Sequence, residues 1–578
     1  MCRQLPRHAA CDSSRPHGVA NVMQHLPLLV ACLARVTAMV KCSLAPQNRG
    51  MTQIGKPPCD DTLVQQGPAS VPCSVAAQRW VLAATILGSS MAFVDGTVVN
   101  VALPAIQRDL RATASETQWV VESYALLLAA LLLVGGALGD RFGRRRLFVI
   151  GVAVFAFASL GCAISRDVRG LVLARAVQGV GAALLVPGSL ALISASFPER
   201  ERGRAIGTWS GFSGITAALG PVLGGWLVDH RSWAWAFLIN LPLAASVLAI
   251  ALMRVPESRS REASRGRPDI GGALLATLGL GGVVFAFIEA PTRGWASPAV
   301  AAALAVGLAA LLAFVAVEGR AAAPMLPLRL FRDRNFAGTN VLTLMLYAAL
   351  GGGLFFFPLT LIQVQGYSAT QAGAALLPFI LTMFLLSRWA GRLVDRVGAK
   401  LPLVAGPTIA AAGFALFTLP AAGANSYAWS YFPAVMVLGL GMTITVAPLT
   451  TTVMNAVGRD LAGVASGINN AVSRVAALLA IAVFALVMAA VFGAALDSRL
   501  DELHASRDVL AYYAGQRDKL AAAGVPPNAA DPETLRRAVG DAFVTGFRWV
   551  MALCTALALA SAASAAVLID SRSHQAAS

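Results

Sequence analysis

The chain is predicted to be an all-α polytopic membrane protein, with fourteen transmembrane helices in two related halves. Three observations predict this. Of 578 residues, 57% are hydrophobic and only 13% charged, and the mean hydropathy is +0.68, whereas soluble globular chains carry about 25% charged residues. Apolar runs of about 20 residues, enough to cross the hydrocarbon layer as a helix, follow one another along most of the sequence. Finally, an arginine-rich loop, GDRFGRRR at 139–146, lies between two such runs and returns as Gly391–Arg392–Leu393–Val394–Asp395–Arg396–Val397–Gly398–Ala399–Lys400. A looser echo accompanies it: Gly179-x-Gly181 leading to Pro187 recurs as Gly439-x-Gly441 leading to Pro448. Repeats on this scale build many secondary transporters, with the substrate path between the halves.

Residues 1–78 hold six of the eight cysteines (Cys2, Cys11, Cys32, Cys42, Cys59, Cys73) and show no sustained period. They read as a disordered cytoplasmic segment. The apolar patch Leu26–Ala34 is too short to span and is followed by Arg35 and Lys41, with a signal peptide as the alternative reading. Translation from Met51 would leave only a short leader, so the first fifty residues read as a mis-assigned start. The cysteine spacing matches no zinc pattern, and thiols on the cytoplasmic side stay reduced.

The spans follow near 80–103, 118–138, 147–165, 170–195, 205–228, 232–252, 270–289, 299–317, 336–358, 371–388, 401–420, 431–455, 463–492 and 543–569. With this assignment the loops starting at 139, 196, 253, 318, 389 and 456, and the tail 571–578, share one side. Most short-loop arginines fall there, including Arg200, Arg202 and Arg204, whereas the loops 359–370 and 421–430 opposite carry no charge. The excess of arginine places both termini in the cytoplasm. The net charge of +16 is thereby spread over loops between spans, and no nucleic-acid partner is implied. The loop 493–542 is the longest connection and faces outward. Helical apolar spacing from Leu500 to Leu520, a break at Gly524–Val525–Pro526–Pro527, and Asp531–Pro532–Glu533 as N-cap, N1 and N2 of the last helix suggest a short amphipathic hairpin. It reads equally as a gate, a contact for a periplasmic partner, or a solvated connector.

Charges inside spans persist only where a packed interior or a water path accommodates them. Asp95, Glu122, Arg175 and Arg474 are the four that stand out. Asp95 lies some ~22 Å along the first span, and Glu122 and Arg175 lie near the outer ends of theirs. Arg175 is the expected partner that keeps a carboxylate ionised, balancing desolvation as a proton switch requires. Asp95 is expected to carry the coupled proton or bind a cation, with Glu122 secondary. Arg474 shares a helical stripe with Gly463, Gly467 and Asn470, which points into the bundle. Asn469 and Asn470 read either as substrate contacts or as glue between helices. In the fifth span, Gly207, Gly211, Gly214, Ala218, Pro221 and Gly225 form one stripe of small residues, suited to close backbone approach and a kink.

Several stretches together resemble one family. They are Asp95–Gly–Thr–Val–Val–Asn100–Val–Ala–Leu–Pro104, the loop from Gly136 to Arg146, Arg175-x-x-Gln178–Gly179–Val–Gly181, Gly220–Pro221–Val–Leu–Gly224–Gly225–Trp226, and Phe237–Leu–Ile–Asn240–Leu–Pro242. Over residues 80–490 the chain is similar to the fourteen-span drug/proton antiporter branch of the major facilitator superfamily. The resemblance implies two six-helix bundles, 79–252 and 336–570, with two central helices inserted at 253–335. It implies alternating access in a bacterial inner membrane, and antiport of small amphipathic or cationic compounds against protons. Gly136, Asp140, Arg141, Gly143, Arg144 and Arg145, with Asp395 and Arg396 in the second copy, would form the conformational-switch loop. Gly211, Gly220, Pro221, Gly224 and Gly225 would form the antiporter motif, and Gln178, Asn469, Asn470 and Arg474 would face the cavity. Some relatives work with a periplasmic adaptor and an outer-membrane channel, for which no motif is recognisable here. No cofactor, metal or enzymatic activity is expected, and no G-x-x-x-x-G-K-[ST] loop occurs to use ATP. The alternatives are a specific metabolite exporter or an uptake permease and, more remotely, a membrane sensor or enzyme on the same fold. Ala234 in place of an arginine, a thirteenth span with few glycines, and the charge at Glu122 depart from the family pattern.

Overall fold

The computed structural model describes residues 75–570, apart from 260–268, 322, 323, 325, 422, 424, 425, 458–461, 528 and 530. The expectations for residues 1–74 and 571–578 lie outside the described residues. So do the side chains of Asp395 and Arg396 and the surroundings of Gly211 and Gly463, although their helices are described.

Fourteen long helices occur among the described residues, in the predicted order. They are α1 Val75–Asp109, α2 Ala114–Phe142, α3 Arg144–Ile164, α4 Val168–Ser196, α5 Glu199–His230, α6 Asn240–Arg254, α7 Ile270–Arg293 and α8 Pro298–Glu318. The second set is α9 Arg334–Gln363, α10 Leu377–Val397, α11 Lys400–Leu416, α12 Phe432–Asn455, α13 Ala462–Glu502 and α14 Pro532–Leu568. Twelve helices are long and apolar enough to cross a membrane, and Lys400–Leu416 is a shorter apolar helix. Glu199–His230 is long, but its charged first turn and run of glycines lower its hydropathy.

In the first half, α4 packs on α2 and α3, and α1 packs on α5, α4 and α6. The second half repeats this with α12 on α11 and α10, and α9 on α13 and α14. The glycine echoes sit at equivalent crossings. A Cβ on Gly181 would stand 2.6 Å from the nitrogen of Phe155 in α3, and one on Gly441 would stand 2.7 Å from the carbonyl oxygen of Gly406 in α11. Only glycine lets these backbones meet so closely. The two helices of the inserted pair take different positions. Helix α8 packs mainly on α7, while α7 lies along the seam where α2 meets α13.

The arginine-rich loop is tighter than its sequence suggests. Helix α2 runs on through Gly139 to Phe142, so Gly139 does not turn the chain. The whole reversal falls on Gly143, with φ of 114°, and the second copy turns at Gly398, with φ of 76°. Asp, Arg and Phe all tolerate helix, so one positive-φ glycine per copy suffices. At the opposite end the long connection is shorter than 493–542, because α13 continues to Glu502 and α14 already begins at Pro532. Asp531 caps α14 as predicted, accepting from the nitrogen of Thr534 at 3.1 Å. Between them lie Arg507–Ala514 and a 3-10 turn at Arg517–Ala522.

Candidate functional site

Asp95, Arg175 and Gln178 meet in one sealed cluster. Asp95 is 0% exposed and Arg175 1% exposed. The guanidinium Nη1 of Arg175 donates to Asp95 Oδ2 in a very short ion pair, while its Nε donates to the carbonyl of Val120 at 3.0 Å. Asp95 Oδ1 accepts from Gln178 Nε2 at 2.8 Å and from Asn240 Nδ2 at 3.1 Å. Ser159 Oγ accepts from the same two amides, at 2.8 and 3.3 Å. The Arg175 guanidinium lies over the Tyr124 ring, 4.2 Å from its centroid. Five spans, α1, α2, α3, α4 and α6, therefore supply one hydrogen-bonded network. A buried ion pair needs such additional bonds to offset its desolvation.

Glu122 is as deeply buried, at 0% exposure, but neither carboxylate oxygen has a hydrogen-bond partner. One helical turn earlier, Gln118 Nε2 is also buried and unpartnered. One turn later, Leu126 packs with Val284 of α7 and with Leu478 and Ala482 of α13. Glu122 thus sits in the seam of α2, α7 and α13, between that cluster and a pocket lined by Gln118, Leu103, Phe287, Phe355 and Leu520. Lys519 roofs this pocket, its carbonyl accepting from Gln107 Nε2 at 3.5 Å, and Gln363 of α9 donates to Gln107 at 3.0 Å.

Arg474 lies on the other side of that seam. No ion pair or hydrogen bond engages its guanidinium among the described residues, and its Nε is buried without a partner. Asn469 donates to Thr343 at 2.7 Å and to Asn340 at 3.3 Å, which fits the role of glue between α13 and α9. Asn470 is exposed.

The antiporter-motif glycines make two close contacts. A Cβ on Gly220 or Gly224 would press on α1, reaching Thr97 Cβ at 3.3 Å and Val98 Cγ1 at 2.8 Å. A Cβ on Gly225 would stand 2.5 Å from the carbonyl carbon of Ala369, in the short helix Ala369–Ala374 that precedes α10. Pro221 is part of the same contact, since a Cβ on Gly373 would stand 2.9 Å from the nitrogen of Val222. Asp229, exposed in the last turn of α5, clasps this helix by accepting from the nitrogens of Ala369 and Thr370 at 3.1 and 2.8 Å. Thr370 Oγ1 adds a third bond at 2.5 Å. Partial burial opposes ionisation of Asp229, but the hydrogen bonds from Thr370 outweigh it and hold the carboxyl below its usual range.

At the arginine-rich end, Asp140 pairs with Arg144 at 2.6 Å across the Gly143 break. Glu257, beyond the end of α6, accepts from the nitrogens of Arg145 and Arg146 at 3.0 and 3.2 Å and caps α3. The Arg141 guanidinium lies 5.4 Å from the Phe142 ring centroid. Gly136 meets Pro187 of α4 in ordinary contact.

The structure thus brings Asp95 and Arg175 together as expected and leaves Glu122 apart from them. Gln178, expected on the cavity, is wholly inside the Asp95 cluster. Asn240, Ser159, Tyr124, Asp229 and Glu257 were missed as site residues. Asn240 alone had a sequence signal, its place in the Asn–Leu–Pro stretch.

Residues 85–481 match the family model of the Major Facilitator Superfamily. The chain is 36% identical over 425 residues to the multidrug resistance protein Stp of Mycobacterium tuberculosis, covering 73% of this chain and 78% of that one. It is 33% identical over 504 residues to the tetracenomycin C resistance and export protein of Streptomyces glaucescens, covering 86% and 93%. In fold it is similar to a bacterial homologue of the human lysosomal transporter Spinster, solved inward-facing and unoccupied. That match has a TM-score of 0.60 at 16% identity and covers 86% of this chain and 97% of the other.

Proposed function

Because the chain belongs to the major facilitator superfamily, we propose that it is an alternating-access exporter of small amphipathic compounds, driven by proton entry. The names of its relatives, as multidrug and antibiotic resistance proteins, support export over uptake and transport over enzymatic activity. In this reading residues 79–252 and 336–570 are the two rocking bundles, and 253–335 carries the inserted pair. The arginine-rich loops face the cytoplasm of a bacterial cell with both termini, and the Asp229 clasp closes the outer side.

Within this reading the proton is carried by Glu122, and the Asp95–Arg175 cluster is the fixed frame around it. The observation that carries this is the contrast in partners. Asp95 has Arg175, Gln178 and Asn240 on its two oxygens, and removing a charge from such a pair leaves the other buried and uncompensated, at a cost of about 3–5 kcal/mol. Glu122 has no ion pair and no hydrogen bond of normal geometry, only the Gln118 amide one turn earlier beside it, so a proton there removes the cost of a lone buried charge without breaking an ion pair. The expected order of the two carboxylates is therefore exchanged.

Substrate-induced proton release from proteoliposomes tests the assignment. Glu122→Gln should reach normal abundance and release no protons on adding substrate, while Asp95→Asn should lower the melting temperature of the purified protein. A normal proton signal from Glu122→Gln, with a silent but stable Asp95→Asn, would restore the original order.

A further inference from the structure

Among the described residues, Arg474 is a charge within a span and makes no ion pair. It lies twelve residues into α13, about 18 Å from that end by helix rise. Its stripe faces the other half of the molecule. A Cβ on Gly467 would stand 3.7 Å from Leu133 of α2, and Ala471 packs against the cluster holding Tyr124, Leu128 and Leu132. The stripe therefore faces α2, in the first half of the molecule. Asn470, one turn before Arg474, is exposed, and Arg474 keeps partial exposure.

A guanidinium at this depth is retained when something pairs with it. Among the described residues nothing does: Asp95 is taken by Arg175, and Glu122, the buried carboxylate in the seam of α2, α7 and α13, makes no ion pair with Arg474. We propose that Arg474 is the substrate-recognition position for an acidic group, so that this transporter prefers amphipathic anions, an aromatic or alicyclic body bearing a carboxylate, sulfonate or phenolate, over cations. The proposal rests on the exporter reading above and reverses the cation preference that the family resemblance implied. The acidic group accepts from the guanidinium in the central path, while the apolar body lies along α2 and α9.

Two probes with the same ring and permanent opposite charges decide this. They are naphthalene-2-sulfonate and naphthylmethyl-trimethylammonium, added to the full-length protein in nanodiscs of zwitterionic lipid, so that only the probe supplies an anion. Binding is read by calorimetry, and proton-driven movement is read in liposomes of the same lipid. The wild type should bind and move the anion in preference to the cation. Arg474→Gln should weaken anion binding by about ten-fold or more, as loss of a charge-assisted hydrogen bond predicts, and leave cation binding unchanged or improved. Arg474→Lys should recover part of the loss. Equal handling of the two probes by the wild type, or unchanged anion affinity in Arg474→Gln, overturns the proposal without any need for a folded variant in the first case. Movement of the cation alone refutes the anion preference and leaves the exporter standing. A chain that binds the anion but moves no compound of any charge under a proton gradient sinks the exporter reading and spares this one.

Discussion

Placing alanine at Gly225 tests whether the contact between α5 and the short helix Ala369–Ala374 is the outer seal. The added Cβ would stand 2.5 Å from the carbonyl carbon of Ala369 and 2.6 Å from the nitrogen of Thr370, where favourable contact needs about 3.5–4.0 Å. Both obstacles are backbone, so no side chain can swing away and the two helices must part by about 1 Å. Overpacking on this scale typically costs about 1–3 kcal/mol. The cost applies only to conformations in which the two surfaces touch, so it biases the equilibrium toward outward-open states by about 5- to 150-fold. Spin labels at Arg231 and Trp429, both exposed, in a background freed of the six cysteines of residues 1–78, report this separation by double electron–electron resonance. The variant should show a longer and more populated distance, slower transport and normal abundance. Gly207→Ala on the same helix meets nothing within 4 Å and should behave as wild type. If Gly225→Ala leaves both the distance distribution and the transport rate unchanged, this contact does not close the outer side.

Three further outcomes are expected. Deleting residues 1–50 should leave membrane insertion and export intact, as read from membrane-fraction blots and a drug-tolerance assay, since no predicted span begins there. Asp140→Asn should insert normally, because its pair with Arg144 is partly exposed and such pairs contribute under about 1 kcal/mol, yet turnover should fall by up to about five-fold. Lowering external pH should loosen the Asp229 clasp. The carboxyl is held below its usual range while clasped, so the clasp is at full strength above about pH 4 and is lost as pH falls through the depressed value. The same label pair should lengthen in acid, and Asp229→Asn should remove that response.

The spans were legible because the bilayer imposes a length and a composition on each one, and among the described residues a long helix stands over each of the fourteen apolar runs. The two halves were legible for a different reason. Gly143 and Gly398 each bear a backbone angle that other residues rarely adopt, and Gly181 and Gly441 each allow a close crossing, so the repeat had to survive at those positions. Partnerships between side chains were another matter. Arg175 meets a carboxylate, as a buried charge demands, but the depth and motif that set Asp95 ahead of Glu122 did not say which of the two would be held by a network. That distinction depends on Gln178 and Asn240 arriving from α4 and α6, a three-dimensional meeting with no linear signature. Glu257 and Asp229 were invisible for the same reason. Each caps a helix it does not belong to, and a carboxylate near a span end looks alike whether it clasps a neighbour or faces water. Arg474 was found as an inward-facing charge. A stripe of Gly467, Asn470 and Arg474 says which way the helix faces, but that no carboxylate among the described residues comes within ion-pair reach of the guanidinium is settled by how α13 meets α2, which has no linear signature.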